Sequence, residues 1–291
     1  MTRSEHLDID VSVPPFDQFR SIRPLATNRS GHDSFEHARH HLYVAHHPRT
    51  RASALIKVMS KPGLVYENNL TNEIASLTTI GRELPKSRYF PVLLDHGRLD
   101  DERLYLTMSL FDEFPLATSI GTERMPTRVV AHLQTAIEVT KAVSELHRVG
   151  IIHVDLNPMN ILHRAEKRKP VIRIVDFESS YEATRHSAGA FYDPPTTTGY
   201  SAPEVSSQPP DARSDVFSLG AVLYSLLAGT QWTWQAELGS QIEADHGLDS
   251  DLKSILRTAS DGKPDRRYAS MQLFQDALAA HLEHIWPGRS S

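Results

Sequence analysis

The sequence predicts an α+β chain built as two lobes, a small β-rich lobe with one helix and a larger lobe that is mainly helical. Its 291 residues, 40% of them apolar and 23% charged, are sufficient for two lobes that each bury a core. Short apolar strand patterns fill the first third of the chain, whereas helical patterns follow from Thr127. We therefore expect an N-terminal extension at 1–15, a first lobe at 16–109, a connection at 110–115, a second lobe at 116–285 and a tail at 286–291.

The first lobe is expected to be a small sheet interrupted by one helix. Its strand patterns, separated by Gly, Pro, Asn and Asp residues, lie at 41–45, 54–59, 91–94 and 104–108. The helix is expected at 69–80, because Leu70, Ile74 and Leu77 recur at helical spacing.

The second lobe is expected to begin with a long helix. An apolar stripe runs from Val130 through Leu133, Ile137 and Val143 to Leu146. The pattern stops at Gly150, and glycine commonly follows a helix C-terminus. Further helices are expected at 215–228, 249–259 and 270–284.

The composition excludes several classes of function. A net charge of −5 argues against a surface dominated by binding to nucleic acid or anionic membranes, so we expect neither partner. The absence of cysteine excludes disulfides, thiol chemistry and cysteine-bound zinc. The N-terminus lacks the apolar run of a signal peptide, and no stretch approaches the ~18 apolar residues of a membrane span, so we expect a cytoplasmic protein.

Two short motifs contain the candidate catalytic residues. The stretch "IIHVDLNPMNIL" at 151–162 contains His153, Asp155 and Asn160, and "IRIVDFE" at 172–178 contains Asp176 at the end of an apolar strand. An aspartate, an asparagine five residues later and a second aspartate after a strand can orient an attacking hydroxyl and hold the Mg²⁺ of a nucleoside triphosphate. Loop residues of these types also form turns without any catalytic role.

These motifs resemble those of the protein kinase superfamily, which implies a two-lobed kinase fold with a small antiparallel sheet. The resemblance implies that Asp155 accepts a hydrogen bond from the substrate hydroxyl. It also implies that Asn160 and Asp176 bind Mg²⁺, or Mn²⁺ in its place. The string "ALIKVM" places Lys57 on a strand, and Glu73 follows sixteen residues later in "NEIASL". The resemblance implies that Lys57 grips the phosphates of ATP and that Glu73 pairs with it.

Two branches of this superfamily are compatible with the motifs. Glu178 replaces the glycine of Asp-Phe-Gly, and Asn157 replaces the usual lysine, as in small-molecule phosphotransferases of the aminoglycoside and choline type. The string "TTTGYSAPE" at 196–204 instead resembles the end of a protein-kinase activation segment (residues 177–204). The string "SDVFSLGAVLYSLLAG" at 214–229 resembles the buried helix that anchors this segment through Asp215.

Substrate class and partners follow from the same resemblance. Arg267 is expected to pair with Glu204 of Ala-Pro-Glu, an architectural contact. Thr197 and the string "NPMN" resemble the serine/threonine branch, so the chain is similar to eukaryotic-like Ser/Thr protein kinases. The implied partners are ATP and a protein substrate, the kinase itself included, and the oligomeric state stays open.

The nucleotide-binding residues depart from the family pattern in the glycine-rich hairpin. It aligns as "GHDSFE", in which Gly31 and Phe35 are retained but Asp33 and Glu36 replace two glycines. Carboxylates near a triphosphate are repulsive, so weakened nucleotide binding is expected. The other nucleotide contacts implied by the resemblance are Lys57, Glu73, the backbone of Ser109 and Phe111, and Asn157.

Departures in the catalytic segment predict slow turnover and unusual regulation. Asn157 lacks the positive charge that would stabilise the transferring phosphate. Val154 replaces an arginine that in many relatives pairs with a phosphorylated activation segment, so activity is expected not to need that phosphorylation. Two alternatives stay open: a pseudokinase that binds nucleotide or a partner without efficient transfer, and a small-molecule kinase.

Overall fold

The protein divides into two compact units. The computed structural model describes residues 8–25, 39–46, 52–121, 126–166, 169–187, 189, 192–195, 199–230 and 238–287. The first unit comprises Met1–Arg82 and Pro91–Asp112, and the second comprises Glu83–Phe90 and Glu113–Ser291. The chain therefore passes from the first unit to the second twice, after Arg82 and after Asp112.

The first unit is a five-stranded antiparallel sheet with one helix. The strands are β1 (Arg20–Pro24), β2 (His40–His46), β3 (Ser53–Met59), β4 (Leu93–Arg98) and β5 (Leu104–Ser109), and the helix α1 (Leu64–Glu83) follows β3. The strand order is β1-β2-β3-β5-β4, so β3 is central. Within β3, Lys57 lies opposite Leu42 on one side and Leu106 on the other.

The structure corrects the predicted strands at both edges of this sheet. The expected strand at 91–94 is displaced, because β4 pairs with β5 from Leu93 to Arg98 through backbone groups that need no apolar side chains. Strand β1 was not predicted, because an edge strand of sequence "RSIRP" has little apolar character. The glycine-rich hairpin containing Gly31 and Phe35 lies outside the described residues.

Residues before β1 form part of the core of the first unit. Ile9 and Phe16 pack with Tyr43, Ile56 and Tyr105, and the rings of Phe16 and Tyr105 meet edge to face at 5.6 Å. The buried guanidinium of Arg103 donates to the Asp8 carboxylate at 2.5 Å and to its carbonyl oxygen at 2.7 Å. The described part of the predicted extension thus shares the hydrophobic core of the sheet.

The second unit is mainly helical and contains two small antiparallel sheets. Its helices are α2 (Pro126–Arg148), α3 (Ala183–Ser187), α4 (Ala212–Ala228), α5 (Leu238–Ala244), α6 (Ser250–Ala259) and α7 (Met271–Ile285). Its strands are β6 (Phe114–Pro115), β7 (Ile151–Ile152), β8 (Ile161–Arg164), β9 (Val171–Ile174) and β10 (Tyr181–Glu182). One sheet has the order β6-β8-β9, and the other pairs β7 with β10.

Helix α4 is the centre of the second unit and packs against α2, α6 and α7. Every residue from Ser214 to Leu227 is buried. Asp211 and Ser214 form a capping box at its start, and Gly229 ends it with a φ of 72°, in the left-handed region that glycine adopts without strain. The residues that flank α4 therefore fix its ends.

The predicted helices are present, but their bounds differ. Helix α1 begins at Leu64, five residues before the predicted start, because the apolar periodicity marks only its buried turns and Leu64 is 75% exposed. Helix α5 was not predicted, since only Leu238 and Ile242 are buried in its seven residues. None of the helices that the structure describes combines the length and the apolar character that a membrane crossing requires.

Replacement of Phe16 by alanine is expected to destabilise the first unit. The side chain is 1% exposed, and loss of a buried phenylalanine ring costs about 3–5 kcal/mol of unfolding free energy. Urea unfolding monitored by far-UV circular dichroism measures this loss. Val13→Ala is the control, because Val13 is 43% exposed, and an equal effect of both changes would contradict the packing described above.

Candidate active site

A buried ion pair lies in the first unit. Lys57 of β3 donates from Nζ to Oε2 of Glu73 in α1 at 2.6 Å. The Lys57 side chain is 8% exposed and that of Glu73 is fully buried. Desolvation of two charges is costly and is offset only by close contact, so removal of either partner would leave an uncompensated charge. The structure thus brings together the two residues that the sequence pattern paired.

The predicted adenine contacts lie at the end of the same sheet. The Ser109 N–H donates to the carbonyl oxygen of Val92 at 2.9 Å, and the Ser109 hydroxyl accepts from the Val92 N–H at 3.0 Å. That backbone N–H is therefore used within the sheet and is not available to a ligand. Phe111 follows in the segment after β5 and is half-buried.

In the second unit, hydrogen bonds from two asparagines shape the Asp155 loop (residues 153–160). The side-chain amide nitrogen of Asn160 donates to the backbone oxygen of Asp155 at 3.0 Å and to its carboxylate at 3.1 Å. Asn157 donates to the same backbone oxygen at 3.1 Å and accepts from the Met159 N–H at 2.9 Å. The loop therefore presents Asp155 and Asn160 side by side.

Asp176 is distant from this loop in sequence, but the residue before it is hydrogen-bonded to the loop. Strand β9 ends at Ile174, so Asp176 follows the strand by two residues instead of closing it as predicted. The Val175 N–H donates to the Asn160 carbonyl at 3.0 Å, which ties the two segments together. Asp176 has a φ of 68°, a left-handed conformation that costs a non-glycine residue about 1–3 kcal/mol and is often found at functional sites.

The oxygen donors of this region fit a divalent cation. Because the Asn160 amide nitrogen is used in donating to Asp155, its oxygen remains as a hard ligand. Asp176, one residue beyond Val175, supplies a carboxylate. One or two protein carboxylate or amide oxygens, with phosphate oxygens of the substrate, are the usual ligands of Mg²⁺ in nucleotide-binding proteins.

Asp215 of α4 anchors the start of the Asp155 loop. Its fully buried carboxylate accepts from the backbone N–H of His153 at 2.9 Å and of Val154 at 2.8 Å, and from Nε2 of His147 at 2.8 Å. The sequence predicted that Asp215 anchors the activation segment. This prediction was wrong for the part of the chain that the structure describes, because there these bonds go to the loop and to helix α2.

His153 is held neutral within the loop. Burial lowers the pKa of its imidazole despite the nearby charge of Asp215. Its Nε2 lies 3.1 Å from the Val175 carbonyl, which can only accept, so Nε2 carries the proton. Its ring lies 5.0 Å from that of Phe177, and the Phe177 ring in turn lies 6.1 Å from that of Phe90. The imidazole thus serves as a packing and positioning group.

Comparison with known proteins identifies the family. A model of the protein kinase domain matches residues 41–279, which is most of the chain. The chain belongs to the protein kinase domain family. Solved structures agree in fold: the PknI kinase domain of Mycobacterium tuberculosis, as a double mutant, superposes with a TM-score of 0.65 at 20% identity and covers 90% of this chain and 96% of that one.

Two curated relatives also align with this kinase domain. Serine/threonine-protein kinase Pkn1 of Myxococcus xanthus is 32% identical over 202 residues, which is 63% of this chain and 28% of that protein. Ribosomal protein S6 kinase alpha-2 of Homo sapiens is 28% identical over 262 residues, 84% of this chain and 34% of that protein. The kinase domain thus spans about a third or less of these relatives.

A buried ion pair links the end of the activation segment to the rest of the kinase domain. Arg267 donates to both oxygens of Glu204 at 2.7 Å, and the Ser214 hydroxyl donates to the same carboxylate at 2.8 Å. The guanidinium also lies 4.8 Å from the ring of Phe217. Burial tends to raise the pKa of Glu204, but Arg267 and Ser214 outweigh it and hold this pKa below its ordinary value.

Some residues that contact the candidate site gave no signal in the sequence. His147, which donates to Asp215, lies in the last turn of helix α2, where basic residues are common whatever their role. The contacts among Tyr181, His186 and Tyr192 depend on how the activation segment folds, which no periodicity reveals. Thr197 lies outside the described residues, so the structure does not describe its surroundings.

Replacement of Arg267 by alanine is expected to destabilise the kinase domain by about 3–5 kcal/mol, because it leaves the buried Glu204 carboxylate without its partner. Arg213→Ala is the matched control, since its pair with Asp211 is more exposed and is worth about 0–1 kcal/mol. Chemical unfolding at pH 7 measures both.

The same pair predicts a pH dependence. A carboxyl group whose folded pKa is lowered stabilises the fold above its unfolded pKa of about 4.3, and this contribution is lost as the pH falls through the folded value. Without Arg267, we expect burial to raise the pKa of Glu204. Protonation at low pH then removes the unpaired buried charge, so the variant is less destabilised in acid. The stability difference between wild type and Arg267→Ala should narrow from pH 7 to pH 4, and a constant difference would count against this assignment.

Proposed function

We propose that this kinase domain transfers the γ-phosphate of ATP to serine and threonine hydroxyls of protein substrates, its own chain included. The observation that carries the proposal is the Asp155 loop, in which the amide of Asn160 bonds to both the backbone and the carboxylate of Asp155. A carboxylate held in this way can accept a proton and aim an attacking hydroxyl, with positioning and charge stabilisation supplying most of the rate.

Each candidate residue has a distinct role in this proposal. Asp155 orients the acceptor hydroxyl and accepts its hydrogen bond. Asn160 and Asp176 would hold the metal, and Lys57, fixed by Glu73, would contact the nucleotide phosphates. The backbones of Ser109 and Phe111, together with Gly31 and Phe35, would contact the rest of the nucleotide.

Asn157 has a mainly structural role in the proposed site. Its side chain is 5% exposed, and its hydrogen bonds go to the backbone of the Asp155 loop. A role toward nucleotide stays a prediction for this residue. Turnover slower than in relatives with a lysine at this position is expected, because the amide brings no positive charge to the transferring phosphate.

The metal and the substrate class are proposed on different grounds. Protein kinases use ATP with a divalent metal, which neutralises phosphate charge when bound. Mg²⁺, or Mn²⁺ in its place, suits the oxygen donors of Asn160 and Asp176. Serine and threonine as acceptors are supported by the relatives Pkn1, named a serine/threonine-protein kinase, and the S6 kinases. The cytoplasmic location and the absence of nucleic-acid and membrane partners stay predictions.

Incubation with labelled ATP, Mg²⁺ and a generic protein substrate tests this function. Wild type should label protein, and Asp155→Ala should lower the rate by about 10²–10⁴-fold because the acceptor hydroxyl loses its base. Asp176→Ala should abolish the metal dependence of nucleotide binding. Asp100→Ala is the matched control, since this aspartate lies exposed in the turn between β4 and β5.

The alternatives give different outcomes in the same assay. Metal-dependent nucleotide binding without any transfer would identify a pseudokinase and overturn the proposal. Transfer to an aminoglycoside or choline but to no protein would identify a small-molecule kinase. Phosphoamino-acid analysis of the labelled protein separates serine and threonine from tyrosine.

A further inference from the structure

Val154 provides no cation for a phosphorylated activation segment. The residue is fully buried, has a φ of 69° and donates its backbone N–H to Asp215 at 2.8 Å. Its apolar side chain cannot bind a phosphate. Residue 154 therefore cannot hold a phosphorylated activation segment against the Asp155 loop.

Three rings of the activation segment pack together. The rings of Tyr181 and His186 are stacked, with centroids 4.7 Å apart and planes 14° apart. Tyr192 meets both rings edge-on, at 5.3 Å and 80° to Tyr181 and at 5.8 Å and 81° to His186. Edge-to-face and offset-stacked geometries are the favourable ones for aromatic pairs. We refer to Tyr181, His186 and Tyr192 as the aromatic cluster.

The aromatic cluster connects the activation segment to the Asp155 loop. Tyr181 lies in β10 and is paired with Ile152 of β7, two residues before Val154. His186 follows in α3, and its Nδ1 lies 3.0 Å from the backbone nitrogen of Glu182. Tyr192 lies eleven residues beyond Tyr181, so its ring contacts close this part of the segment back onto the strand beside the loop.

The surroundings of Tyr192 are unsuitable for a phosphate. Its hydroxyl is buried and has no hydrogen-bond partner among the described residues. Burial raises the pKa of this phenol, and the negative charges of Asp215, Asp193 and Asp155 raise it further. The cation closest in sequence, Arg185, is paired with Glu182 at 3.0 Å. A phosphate at Tyr192 would face carboxylates and a desolvation cost.

We propose that the aromatic cluster holds the activation segment in its active arrangement without phosphorylation, with Tyr192 as the key positioning residue. This inference rests on the proposed kinase function and adds its mode of regulation. The ring of Tyr192 provides the contact, whereas its hydroxyl has no role. The cluster thus replaces a cation–phosphate contact with aromatic packing on the strand that enters the Asp155 loop.

Two substitutions at one position separate ring from hydroxyl. After phosphatase treatment, wild type and Tyr192→Phe should have equal kcat/KM for the protein substrate, because phenylalanine keeps the ring. Tyr192→Ala should lose about tenfold to hundredfold through misplacement of the acceptor site. Its affinity for nucleotide should stay close to wild type, which distinguishes a positioning role in the activation segment from loss of folding.

Matched controls address phosphorylation elsewhere in the segment. Thr184→Ala and Ser187→Ala remove exposed hydroxyls from α3 and should leave activity unchanged. His186→Phe should retain more activity than His186→Ala, because it keeps a ring stacked on Tyr181.

The outcomes that overturn the inference are distinct from failure of the proposed function. Loss of wild-type activity on phosphatase treatment, inactivity of Tyr192→Phe, or full activity of Tyr192→Ala would each overturn the role of the aromatic cluster. A wild-type chain that transfers phosphate to no protein under any treatment would instead overturn the kinase proposal itself.

Discussion

The buried carboxylate of Asp215 is the contact on which the Asp155 loop depends. It receives two backbone N–H groups from His153 and Val154 and a third donor from His147. A buried anion is tolerated only when it is fully hydrogen-bonded, so α4 and the loop stabilise each other. The strained backbone of Val154, with its φ of 69°, is maintained by this contact and directs the chain toward Asp155.

Much of the candidate site was predictable because it is local in sequence. Asp155 and Asn160 lie five residues apart in one loop, and the spacing of sixteen residues between Lys57 and Glu73 suits a strand followed by a helix. The pairing of Arg267 with Glu204 was also predicted, and the two are in contact at 2.7 Å. In these cases residue type and order alone restrict the possible partners.

Other features required the three-dimensional path of the chain. The partners of Asp215 were mistaken because the backbone N–H groups of a turn have no signature in side-chain identity. Strand β4 extends through polar residues because an edge strand is held by backbone pairing with β5. Aromatic residues at 181, 186 and 192 follow no helical or strand period, so only the folded segment reveals their contact.

The position of Ile9 and Phe16 in the core of the sheet has a practical consequence for protein production. The family match begins at residue 41, yet the sheet includes β1, and Ile9 and Phe16 before β1 pack in its core. An expression clone cut to the family boundary would expose the apolar faces of Tyr43, Ile56 and Tyr105 and leave Arg103 without Asp8. Such a fragment should aggregate, and any lack of activity in it would result from the truncation and would not describe the intact chain.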